Sequence, residues 1–84
     1  MIEIEFNYNQ HYTTIQANLR DKFKDIINKY IQKSLLNPTS IYFLANGKRI
    51  NPEETIEKQM NDTNMQNKNL KVLVQLLEDE NNKK

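Results

Sequence analysis

The chain has 84 residues, a net charge of +1 and no cysteine. A chain of this length forms one domain, and we do not expect a deep catalytic cleft beside its single core. Near-zero net charge argues against binding to nucleic acid or an anionic membrane, and the lack of cysteine excludes disulfides and thiolate metal sites. Because no apolar run approaches the length of a membrane span or a signal sequence, we expect a cytoplasmic or nuclear protein.

Two alternating segments open the sequence. Residues 2–6 alternate apolar and polar side chains, the pattern of a strand with one buried face. Turn-type residues follow at 9–11, and a second alternating run covers 13–19. The sequence therefore predicts an N-terminal β-hairpin.

The spacing of apolar residues then changes to that of an amphipathic helix. Asp21 is the predicted N-cap, and Pro38 ends the helical region because proline cannot continue a helix. The apolar stripe between them consists of Phe23, Ile26, Ile27, Tyr30 and Ile31.

A second hairpin is predicted around the only glycine of the chain. The β-rich run 41–45 ends at Asn46-Gly47, a dipeptide that favours a two-residue hairpin turn, and 48–50 is the short return strand. Gly47 is expected to adopt a positive φ angle. Residues 51–56 indicate a loop with one turn of helix.

The C-terminal part contains one further clear strand, at 70–74. Residues 57–69 are polar and are expected to be irregular, with Met60 and Met65 as their only anchors. We expect 1–77 to form the domain and 78–84 to be a disordered charged tail or the start of a linker.

This order of elements predicts an α+β fold in which one helix packs across a mixed sheet. The residues also resemble ubiquitin and its ubiquitin-like relatives over roughly 1–77. The most specific segments are 19–23, which lead into the helix, and 43–50 followed by Thr55-Ile56, with Pro38 matching a proline after the family's helix. The resemblance implies a β-grasp fold with the first and last strands parallel at its centre.

The resemblance also implies a docking surface. Ubiquitin binds most partners through a shallow apolar patch on the outer sheet face, and the match places Leu44 at its centre with Lys48 at its edge. It places Lys71 and Leu73 on the same face, and Tyr8 near the contact made by the family's first hairpin loop. Strand alternation independently turns Leu44 and Leu73 outward if their neighbours face the helix.

One departure from ubiquitin bears on its mode of action. Ubiquitin ends in a diglycine used for conjugation, whereas no glycine follows Gly47 here. We therefore expect a non-conjugated domain of a larger protein, monomeric in isolation. It would dock weakly onto a ubiquitin receptor or another ubiquitin-pathway protein.

No motif for catalysis or cofactor binding stands out. His11 is the only histidine and is expected in a solvated turn, and the acidic clusters at 53–57 and 78–80 lack the spacing of a calcium loop. A phosphate-binding glycine loop is excluded with one glycine. We therefore expect no enzyme, no metal and no cofactor.

Two alternatives remain open at this stage. The first is a β-grasp module of the Ras-binding or PB1-like docking type, in which a Ras-binding module would pair the edge of its second strand with a GTPase. The second is a purely structural domain whose outer patch is covered by neighbouring domains.

Overall fold

The computed structural model describes residues 1–77. Five strands form one sheet, with bounds Ile2–Tyr8 (β1), His11–Ala17 (β2), Ile41–Ala45 (β3), Lys48–Arg49 (β4) and Asn69–Leu76 (β5). The helices are Phe23–Ser34 (α1), Ile56–Gln59 (α2) and Asp62–Asn67 (α3), with a short 3-10 turn at Pro38–Ser40. In these residues no helix is both long and apolar enough to span a bilayer.

The sheet has the strand order β2-β1-β5-β3-β4. β1 and β5 run parallel near the centre, with Ile4 opposite Leu70, and every other pairing is antiparallel. The predicted α+β architecture with parallel first and last strands is confirmed. The last strand, β5, therefore lies between β1 and β3, which precede and follow α1 in the sequence.

α1 covers one face of this sheet, which we call the inner face. Its Phe23, Ile26 and Tyr30 are buried, as the predicted stripe requires. The Tyr30 ring stacks on Phe6 of β1, with centroids 4.2 Å apart, and Phe43 of β3 meets both rings edge-on. This aromatic cluster fixes the helix against the sheet and so fixes which strand residues face outward.

The first hairpin is tighter than the sequence indicated. Its turn consists of Asn9 and Gln10 alone, both at positive φ, the arrangement that matches the twist of paired strands. His11 is therefore the first residue of β2, opposite Tyr8, and the expectation that it lies in a turn is wrong. Its side chain is exposed.

The predicted N-cap of α1 is also wrong. Helix α1 starts after Lys22, while the Asp21 carboxylate accepts a hydrogen bond from the Asn18 backbone N–H at 2.9 Å. The first helical N–H groups do not need a side-chain cap because backbone carbonyls of the 51–55 loop accept from them. Phe23 N–H donates to the Glu54 carbonyl and Lys24 N–H to that of Pro52.

The expectation of an irregular 57–69 segment is wrong as well. Asn61 and Asn64 form a reciprocal capping box, each side chain accepting from the other residue's backbone N–H at 2.9 Å, and α3 begins there. Met60 packs against the core as expected, whereas Met65 is exposed and the expectation that it anchors the segment is wrong. The predicted tail at 78–84 lies outside the described residues.

Candidate functional site

The face of the sheet opposite α1, the outer face, carries one row of side chains across all five strands. The pairing registers place Tyr12 opposite Asn7, Asn7 opposite Leu73, Leu73 opposite Leu44, and Leu44 opposite Arg49. Paired residues share a face, so these five side chains form a continuous line, which we call the cross-sheet row. With strands about 4.8 Å apart, the row spans roughly 19 Å.

The middle of the row is apolar. Leu44 and Leu73 are directly paired on adjacent strands, and Leu73 is 40% exposed although it lies near the centre of the sheet. Both line a shallow concavity of about 470 Å³, together with Tyr12, Asn7 and Lys71. The structure thus brings together the two leucines that alternation turned outward.

The basic end of the row is Arg49. Its guanidinium lies 4.5 Å from the centre of the Tyr42 ring, a cation–π contact on the outer face. Lys48 was expected at the edge of the patch, but its register partner is the inward-facing Ala45, so Arg49 is the cation aligned with Leu44. Lys48 is the first residue of β4, directly after the turn, and is exposed.

Lys71 lies on the outer face as expected, one row away from the leucine pair. Its neighbour in the parallel register is Glu5 of β1, and both residues line the concavity. A lysine and a glutamate side by side give this margin of the concavity mixed charge.

Tyr8 does not join this surface. It follows Ile2, Ile4 and Phe6 in the alternation of β1, which puts it on the inner face, and it packs against the hydrophobic core. Burial, with a smaller contribution from Tyr8, raises the pKa of Tyr30 above its usual range, while the Ser34 hydroxyl partly offsets this effect. Tyr8 therefore belongs to the environment of α1 and lies apart from the outer face, and its role in partner binding stays a prediction.

Three members of the surface were missed from the sequence. Tyr12 is 62% exposed at one end of the row, Asn7 lies between it and Leu73, and Arg49 closes the other end. The position of each of these residues in the row follows from the strand register. The register can be predicted only if the ends of β1 and β2 and the exact lengths of the turns are known. Alternation within one strand gives the face of a residue but not its neighbours.

The described residues offer no cluster of metal ligands. No group of three or more His, Cys, Asp or Glu side chains in 1–77 could hold a metal ion, and no charged, amide, Ser or Thr side chain there is buried. What the outer face offers chemically is apolar and aromatic contact area bordered by cations and amides.

Comparison with known families accounts for the fold. The family model described as "Ubiquitin-2 like Rad60 SUMO-like" matches residues 2–74. The chain belongs to this family of ubiquitin-like domains. The β-grasp assignment and the predicted resemblance are thereby confirmed.

Solved structures agree on the architecture of this ubiquitin-like domain. One match, described as the crystal structure of ATBAG1 in complex with HSP70, has a TM-score of 0.72 at 14% identity. The match covers 95% of this chain but only 41% of that one, and identity this low shows the fold alone. The search of curated proteins found no match.

Proposed function

We propose that this ubiquitin-like domain is a protein-interaction module that docks non-covalently through its outer face, with Leu44 and Leu73 at the centre of the contact. The single observation that carries the proposal is the cross-sheet row. Membership of a ubiquitin-like family supports a role in protein interaction in general, and the row supplies a specific surface for it.

The composition of the row is that of a binding surface. Aromatic residues and arginine are enriched where interfaces concentrate their energy, and Tyr12 and Arg49 stand at its two ends. The leucine pair between them is an apolar centre, and its removal from water on contact with a partner would favour binding. A surface of this size buries less than a standard interface, so we expect micromolar or weaker affinity.

The partner we propose is a ubiquitin receptor or another ubiquitin-pathway protein, in the cytoplasm or nucleus. The basis is the resemblance of this face to the patch of ubiquitin, with the domain acting as one part of a larger protein. The HSP70 complex belongs to a different protein at 14% identity and does not suggest HSP70 as the partner here. We propose no catalytic role and no cofactor.

The test is a chemical-shift titration of the isotope-labelled domain with a panel of ubiquitin-binding domains, followed by variants. We expect shifts at the cross-sheet row, and Leu44→Ala combined with Leu73→Ala should weaken binding at least tenfold. Leu35→Ala is the matched control, because Leu35 is 86% exposed at the C-terminal end of α1, outside the row. Binding that survives the double variant would refute the patch assignment.

A second candidate is docking along β2, which a specific feature favours. β2 is an edge strand, so its outer backbone groups have no strand partner in the described sheet. An extended peptide could add to this edge by backbone hydrogen bonds. β2 carries no basic residue between Thr13 and Ala17, which disfavours the Ras-binding type. Shifts along β2 with none at Leu73 would support this candidate over the first.

If the domain is purely structural, its neighbours in a longer chain would cover the row. Leu44 would then be protected from solvent whenever those neighbours are present. Hydrogen exchange at β3 and β5, measured on the isolated domain and on the longer protein, distinguishes the two cases. Equal exchange in both would rule out intramolecular cover.

A further inference from the structure

The β3–β4 turn is tied to α3 by a cluster of side-chain amides, which we call the amide clasp. The Asn46 amide nitrogen donates to the Gln59 backbone carbonyl and to the Asn64 side-chain oxygen, both at 2.8 Å. The Asn46 side-chain oxygen accepts from the Asn61 side-chain nitrogen at 3.3 Å. All three polar contacts of this side chain therefore reach the segment 59–64, far away in sequence.

Asn46 precedes the only glycine of the chain, and this dipeptide has a reaction of its own. The Gly47 backbone nitrogen, its proton lost to solvent base, can attack the side-chain carbonyl carbon of Asn46. The C–N bond to the amide nitrogen then breaks, ammonia leaves, and a cyclic imide forms. Water opens the imide to aspartate or isoaspartate. Glycine favours the attack because it has no side chain to hinder the approach.

The clasp opposes this reaction in the folded protein. Ring closure requires the Asn46 side chain to turn toward Gly47, whereas its nitrogen and oxygen are both held by partners in 59–64. Reaction therefore requires local opening of the clasp, and its rate is scaled by the fraction of time that the clasp is open.

We propose that Asn46-Gly47 is a deamidation site that the amide clasp holds in check, and that its conversion releases α3 from the β3–β4 turn. The product cannot keep the clasp. A carboxylate has no proton to donate, so at position 46 it would face two acceptors, the Gln59 carbonyl and the Asn64 side-chain oxygen, without a hydrogen bond between them.

The conversion also reaches the outer face. Asn46 and Gly47 line the concavity that contains Leu44 and Lys71, so the reaction adds a negative charge at its margin. Where the imide opens to aspartate, the backbone is unchanged and the residue tolerates the positive φ of this turn, so the hairpin persists while its link to α3 is lost. Isoaspartate loses the same link and in addition inserts a methylene into the backbone of the turn. The change is irreversible without a repair reaction and would mark the age of the molecule.

The rate at Asn46 is measured by peptide mapping with mass spectrometry during incubation at mildly alkaline pH. The folded domain is compared with a synthetic peptide covering residues 42–51, which has no clasp. We expect Asn46 to convert at least about tenfold more slowly in the folded domain, the protection given by one to two hydrogen bonds. Equal rates in the two would overturn the protective role of the clasp.

Variants of Asn64 identify the contact responsible. Asn64→Ala removes the acceptor and should raise the rate toward that of the peptide, whereas Asn64→Asp keeps an oxygen at the same place and should leave it low. Asn28→Ala, on the exposed side of α1, is the matched control and should change nothing. A folded Asn64→Ala with an unchanged rate overturns the proposal. If that variant unfolds, a peptide-like rate in folded Asn64→Asp overturns it instead.

The release of α3 is tested on Asn46→Asp, which is identical to the aspartate product. Hydrogen exchange of the 62–67 amides should become faster than in the wild type, while the amides of β1 and β5 keep their rates. Unchanged exchange in α3 would show that the turn and α3 are not coupled through Asn46.

Discussion

The two faces of the sheet are built from the same strands but follow different rules. On the inner face the side chains are apolar and buried, and three aromatic rings from β1, β3 and α1 interlock. On the outer face polar side chains are interrupted by Tyr42 and by one row that holds two leucines and Tyr12. The residue types of the inner face are set by the need to pack against α1. On the outer face, packing explains why residues alternate between the two faces of the sheet, but it does not explain which residue types occur there.

This difference predicts that stability and partner binding depend on different residues of the same strand. In β3, Phe43 packs against Tyr30 whereas the next residue, Leu44, lines the outer concavity. A substitution at one affects the free energy of unfolding, and a substitution at the other is expected to affect binding. The predictions below test how completely the two roles are divided.

The largest effect is expected from Phe6→Ala on the inner face. Phe6 is fully buried and stacked on Tyr30, so truncation should lower the free energy of unfolding by about 3–5 kcal/mol. That is a large part of the stability of a small domain. Urea unfolding followed by circular dichroism measures it. The control is Tyr12→Ala on the outer face, and a similar loss in both would contradict the division.

A smaller effect is expected from the double variant Leu44→Ala and Leu73→Ala. The pair contacts across two strands on a half-exposed surface, so we expect a loss of no more than about 1.5 kcal/mol. The same urea titration measures it. A loss as large as that of Phe6→Ala would mean that the leucine pair is part of the core and would weaken its assignment as a docking surface.

A gain in stability is expected from Leu35→Gly, which lies on neither face of the sheet. Leu35 ends α1 in the left-handed region at φ 64°, where glycine is favoured, and its side chain is 86% exposed. Removing the backbone strain should raise the free energy of unfolding by about 0.5–1 kcal/mol, net of the greater freedom of glycine in the unfolded chain. Thermal unfolding measures it, with Leu35→Ala as control because alanine keeps the strain.

The smallest effect is a loss of stability at high pH that depends on the inner face. Burial raises the pKa of Tyr30 above the value of about 10 that it has in the unfolded chain. The folded state therefore holds the Tyr30 proton more tightly than the unfolded chain does. The resulting contribution of Tyr30 to the free energy of unfolding is fully present below pH ~10 and is lost as the pH rises through the folded-state pKa. Urea unfolding across this range checks it. The free energy of unfolding of Tyr30→Phe should fall less steeply with pH than that of the wild type. An equal slope in the two proteins would exclude Tyr30 as the source of the loss.

The sequence predicted the inner face well because burial imposes a period. Phe23, Ile26 and Tyr30 recur at helical spacing, which predicts a helix. Ile15 and Ala17 alternate with polar residues, which predicts a strand. The Asn-Gly turn was likewise predictable, since both of its residues have the positive φ angles that this dipeptide favours.

The sequence predicted less where structure depends on contacts between distant segments. α3 has no apolar stripe and rests on a capping box of two asparagines, a weaker signal than the usual serine and glutamate. The start of α1 uses carbonyls of the 51–55 loop, which no local pattern reveals. Leu44 and Leu73 were placed correctly by alternation, but Arg49 and Tyr12 needed the register.

The parallel pairing of β1 with β5 constrains how the domain can form during synthesis. β1 and β3 leave the ribosome early, yet each lacks a neighbour until β5 enters between them. At about 5–20 residues per second, these two strand edges stay open for seconds in the nascent chain. Folding must wait for β5, and a chain released before it would expose two unpaired edges, the condition that favours aggregation.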